Sequence, residues 1–153
     1  MGKSGIKINL KGFDKMLENI KEAGGDVDSA AQRAIKASAN LTRNELMSEA
    51  RAKGVPSDIT DETTWIIDHP APDRYTARVG WDLSGGYNPK EPSAGYKAIF
   101  LNYGTPRRTT RKGYNRGEVK GRQFIRSAKK KARPKVKEAL QKIMERVMRD
   151  LEK

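Results

Sequence analysis

The sequence has no cysteine and a single histidine, His69, in 153 residues. Without thiols there is no disulfide framework, no thiolate metal site and no thiol nucleophile. One histidine argues against a Ser-His-Asp arrangement. Long apolar runs are missing too: nothing approaches the roughly 18 consecutive apolar residues of a membrane span. The opening stretch, "MGKSGIKINLKGFDKML", has no run of signal-peptide length, so an intracellular product is expected. The glycines do not form GxxxxGK[ST], no GxGxxG follows a strand, and GxSxG and cation-loop patterns such as DxDxDG are lacking. None of these absences leaves room for a familiar catalytic or cofactor motif, and neither metal nor cofactor is expected.

What is there fits one soluble domain over 1–153. Hydrophobic residues make up 35% of the chain and charged residues 33%, which predicts a modest core under an ionic surface. The net charge of +13 is unevenly placed. Between Tyr103 and Lys137 stand 14 Lys and Arg against one acid, Glu118, while the rest of the chain balances 18 basic with 18 acidic residues. Such a field suits nucleic acid, an anionic surface or an acidic protein partner.

Periodicity organises the rest. Phe13, Met16, Leu17, Ile20 and Ala23 share a helical face that Gly24-Gly25 ends. From Asp26, positions 27, 30, 31, 34, 35, 38, 41, 42 and 46 mark a longer helix, stopped at Gly54-Val55-Pro56. "TTWIID" and "RYTARVGWD" predict an antiparallel strand pair with "HPAPD" as its turn, which places Trp65, Ile67, Tyr75, Ala77 and Val79 in alternation. "YKAIFLNYGT" is too brief to choose between a third strand and a short helix. Phe124, Ala128, Ala132, Val136, Leu140, Ile143, Val147 and Leu151 form the stripe of a long C-terminal helix, with a kink or restart expected near Lys131 to Pro134. The fold expected is α+β: about three to four antiparallel strands packed against an N-terminal helix pair and a long C-terminal helix. Segments 83–95 and 105–122 are predicted mobile loops.

Each candidate chemistry has a plainer counterpart. His69 precedes a proline in a turn and lacks a positioned partner, so it is expected to be an exposed turn residue. Asp58, Asp61 and Glu62 could serve a carboxylate metal nuclease, but an acidic turn before the first strand explains them. Trp65 and Trp81 are expected as core aromatics rather than a base-stacking platform. Arg126, Lys129, Lys130, Lys131, Arg133, Lys135 and Lys137 interleave with the C-terminal stripe, as a solvated helix face does.

The sharper case is the loop of about 18 residues carrying Arg107, Arg108, Arg111, Lys112, Tyr114, Arg116, Lys120 and Arg122, since loops that long are usually functional or disordered. As a nucleic-acid module using 103–137, seven neutralised phosphates would give a salt slope of about −6. No helix-turn-helix, RNP, KH or zinc-finger pattern accompanies it.

The flanks of that loop are more specific. Tyr96, Ile99 to Leu101, Tyr103, Gly104 and Thr105 precede it, and Phe124, Ile125, Arg126 and Ala128 follow. This pattern resembles the small neck or tail-completion proteins of long-tailed bacteriophages, whose motif runs aromatic, apolar run, acid, aromatic, Gly-Thr, a variable loop, then Pro-Phe-Leu-Arg-Pro-Ala. An amphipathic helix, an alanine-rich helix and "AKGVPSDITDETTWII" extend the likeness over most of the chain. Asn102 departs from the usual Glu, Ser127 from Pro, and the Thr-Gly turn is not kept.

The resemblance implies a non-enzymatic structural component of a phage or prophage virion. It would be a minor tail component or head-tail connector assembling as a homo-oligomeric ring with other neck and tail subunits. Contact with phage DNA is open, and no membrane or small-molecule substrate is implied. Gly104, between Tyr103 and Thr105, would launch the loop at positive φ, and Phe124 would return the chain to the core. The loop itself would order on an acidic neighbour.

Overall fold

The computed structural model describes residues 5–71, 74–115 and 117–153, with only the backbone of 69–71 and 74. The elements run β1 (Ile6–Asn9), α1 (Asp14–Glu22), α2 (Val27–Ala52), α3 (Ser57–Thr60), β2 (Thr64–Ala71), β3 (Arg74–Gly80), α4 (Ala94–Tyr103), β4 (Gly104–Thr105), β5 (Val119–Lys120) and α5 (Phe124–Glu152). The class is α+β. A three-stranded antiparallel sheet, ordered β1-β3-β2, accompanies a separate ribbon of β4 and β5.

The central helix is α2. Its start is capped by Asp26, whose side chain accepts from the Ser29 amide at 3.1 Å. Gly54, at φ 78°, follows its end. Between them Ala30, Ala31, Ala34, Ser38, Ala39, Thr42 and Ala50 are buried. Small side chains on this face let both the sheet and α5 approach the helix closely, and α2 packs against each. Ile20 of α1, Ile35 and Leu46 of α2, and Leu140 and Met144 of α5 fill the space between the helices.

In the sheet, Trp65 stands opposite Val79 and Ile67 opposite Ala77, with the β3 residues buried and the β2 residues half-buried. This is the predicted alternation, but β2 runs on through His69, Pro70 and Ala71, which were expected in the turn; Pro72 and Asp73 lie outside the described residues. The strand β1 was not expected. Ile6, Ile8 and Leu10 alternate and are all buried, with Ile6 opposite Val79 and Ile8 opposite Ala77.

"YKAIFLNYGT" resolves into the helix α4, burying Ala98 and Asn102 one turn apart, followed by the two residues of β4. Of the kink or restart expected near Lys131 to Pro134, the restart does not occur: α5 is continuous through Pro134. Pro134 and Lys130 are both exposed, so the carbonyl deprived of its helical donor can turn to water.

Candidate assembly interface

The segment between α4 and α5 is an arm, and its base is built from backbone contacts. Gly104 ends α4 at φ 81°, a conformation that favours glycine. A Cβ there would stand 2.5 Å from the Val119 carbonyl oxygen. Across the ribbon, a Cβ on Gly121 would stand 2.8 Å from the Tyr103 carbonyl oxygen and 2.9 Å from that of Asn102. The two strands therefore cross at a distance that only paired glycines permit.

Hydrogen bonds then tie the departing chain to the arriving one. The Arg122 amide donates to the Leu101 carbonyl at 2.9 Å and the Gln123 amide to the Asn102 carbonyl at 3.0 Å. The Asn102 side chain, buried, accepts from the Ile125 amide at 2.9 Å. It thereby supplies the N-terminal cap that α5 does not obtain from its own capping residue, Gln123, whose φ of 51° is left-handed. Phe124 follows, fully buried, edge-on to Trp81 with ring centroids 6.0 Å apart. The Trp81 indole N–H donates to the Ile59 carbonyl at 2.8 Å, which makes Trp81 a core residue joining α3 to the start of α5. Ile125 and Ala128 are buried beside Phe124, while Arg126 faces solvent.

Beyond its base the arm is a ribbon. Gly104 pairs with Lys120 and Thr105 with Val119, and Thr109 bridges to Asn115. The Arg108 amide donates to Gly117, the Thr110 amide to Tyr114 and the Gly113 amide to Thr110, at 3.0, 2.8 and 2.9 Å. The Thr105 hydroxyl accepts from the Val119 amide at 3.0 Å. Gly113, at φ 83°, turns the tip, which presents Arg111, Lys112 and Tyr114. Tyr114 is 69% exposed and Tyr103, at the base, 52%.

The structure divides the basic residues into two kinds. Lys131 and Lys135 of α5 pair with Glu49 and Glu45 of α2, the second at 2.8 Å. The contact with Glu49 raises the Lys131 pKa above its ordinary value, chiefly through the hydrogen bond. Arg122 reaches back to the last turn of α2 and donates to the Lys53 carbonyl at 3.1 Å, where the helix end favours a cation. By contrast, Arg107, Arg108, Arg111, Lys112 and Lys120 are exposed, with no acidic partner among the described residues. Arg116 lies outside the described residues.

Other sequence candidates are placed elsewhere. Asp61 pairs with Arg51 at 3.1 Å, Asp58 opens α3, and Glu62 is exposed. Among the described residues no group of three or more His, Cys, Asp or Glu is arranged to hold a metal ion. The Trp65 indole donates to Asn40 at 2.9 Å, tying β2 to α2. No helix among the described residues is long and apolar enough to cross a membrane. The chain matches no family model, no curated protein and no solved structure.

Proposed function

We propose that the chain is a structural, non-enzymatic subunit of a phage or prophage virion. It would act in head-tail joining or tail completion, within a homo-oligomeric ring, through its basic arm. The observation that carries this reading is the contrast built into the arm. Its base is fixed to the core by Asn102, the Gly104-Gly121 crossing and Phe124, while five described cations project from it without acidic partners.

A two-stranded ribbon is marginally stable alone, so its order draws on what it docks against. An acidic surface of a neighbouring subunit meets both its charge and that need. Asn102 fits the motif position physically, since an oxygen acceptor is what the Ile125 amide requires there. The test is assembly in a host: an arm carrying Arg107, Arg108, Arg111 and Lys112 all changed to Glu should yield folded subunits and unjoined heads and tails. Normal virions from that variant would overturn the reading.

One observation favours a second reading. Tyr114 lies exposed beside Arg111 and Lys112 at the tip of the ribbon, where Asn115 bridges back to Thr109, a placement that offers one stacking surface beside cations able to bind phosphate. Titrating binding to short duplex DNA against salt tests it: five bound phosphates predict a slope of about −4.5. Absence of binding at low salt removes it.

A further inference from the structure

Among the described residues the sheet has two free edges, because β1 and β2 each pair only with β3 there. The free edge of β1 faces a groove of about 700 Å³ whose opposite wall is α5. Thr42 of α2 lines it, and its hydroxyl is buried with no hydrogen-bond partner among the described residues. Ile6 and Ile8 from the strand, and Ala132, Val136 and Leu140 from the helix, supply apolar lining. Lys7, Lys11, Lys129, Arg133 and Lys137 also line the groove, and no acid does. A trough between an open strand edge and a helix is the setting in which an added strand gains main-chain hydrogen bonds along its length.

We propose that this groove receives the β2 edge of a second copy of the chain. This rests on the ring-forming reading above and names the surfaces that join one subunit to the next. The chain carries the complement on its other edge: Glu62, ahead of β2, and Asp68, within it and 3.6 Å from Arg78 of its own sheet, are exposed, and Ile66 between them is 43% exposed. Residues 62, 66 and 68 share one parity along the strand. Ile66 and Lys7 both stand opposite Arg78, so this set and Lys7 lie on the same face of the sheet.

Because β1 and β2 are both antiparallel to β3, they run in the same direction. Repeating the subunit around a ring therefore makes a parallel junction, with Asp68 and Glu62 of one copy approaching Lys7 and Lys11 of the next. Charge disfavours the symmetric alternative, since pairing β1 with β1 would oppose two sets of five cations. The contact joins two different surfaces, so it propagates and closes by rotation.

Sedimentation of three proteins tests the junction: the wild type, a groove variant (Lys7→Glu with Lys11→Glu) and an edge variant (Glu62→Lys with Asp68→Lys), each checked for folding by circular dichroism. The wild type should self-associate, and each variant alone should need about tenfold more protein to do so. Mixing the two variants should restore association, because each then meets opposite charge at both surfaces.

A second measurement uses the absence of native cysteine. With Lys7→Cys and Asp68→Cys in one chain, oxidation should give a ladder of linked subunits. The two positions lie two strand spacings apart, roughly 10 Å, too far for a bridge within one chain. A monomeric wild type at every concentration, or a linked product confined to monomer, overturns the junction. Association unchanged in both variants overturns it while leaving the arm-mediated ring intact, and normal virions from the arm variant in the host do the reverse.

Discussion

The base and the tip of the arm lie within one hairpin, yet they are held by different physics. At the base, two glycines cross at backbone contact distance, a buried amide caps a helix 23 residues further along, and an aromatic ring is fully buried. At the tip, a few backbone hydrogen bonds hold a ribbon whose side chains face solvent. The difference separates the two ends of the arm: the base specifies where it leaves the fold, and on the proposed function the tip is what meets a partner. Substitutions should accordingly cost stability at one end and assembly at the other.

The largest effect is expected at Phe124. Phe124→Ala removes a buried ring and should destabilise by about 3–5 kcal/mol in urea unfolding. Gly121→Ala comes next, at about 1–3 kcal/mol, because the new Cβ meets main-chain oxygens that no side-chain rotation can move. Asn102→Ala should cost about 1–2 kcal/mol through loss of the α5 cap. At the tip, Arg111→Ala with Lys112→Ala should change stability by less than about 0.5 kcal/mol. A tip substitution as costly as one at the base would erase the contrast.

The paired cations sharpen the comparison from another side. Lys131 has its pKa raised by Glu49, so its contribution is present in full below the ordinary lysine value of 10.5. It is lost as the pH rises through the higher folded value. Thermal melts at rising alkaline pH should show a decline in the wild type that is reduced in Lys131→Met.

Legibility in the sequence followed the range of the interactions. The helices α1, α2 and α5 were readable because their apolar period lies within one segment, and for α2 the cap and stop do too: Asp26 and Gly54 frame it without help from elsewhere. The strand β1 was hidden, although Ile6, Ile8 and Leu10 alternate, because the run is short and its burial depends on β3 arriving more than 60 residues later. The restart at Pro134 was overpredicted because exposure of the freed carbonyl is a property of the packed helix.

The arm itself shows the same limit. Its flanking motif and cations are visible in the sequence, and so is the four-residue spacing that Glu45 and Glu49 share with Lys131 and Lys135. Their pairing is not, since it joins residues 82 and 90 positions apart. The strands of the ribbon, the Gly121 crossing and the bond from Arg122 to Lys53 likewise exist only once α2, α4 and α5 are assembled.

The most direct measurement is cryo-electron microscopy of the assembled neck. The account predicts a ring in which the ribbon from Arg107 to Lys120 lies on an acidic surface of an adjacent subunit, with Arg111 and Lys112 against carboxylates. Arms projecting away from every protein neighbour, or a neck in which the chain has no place, would contradict it.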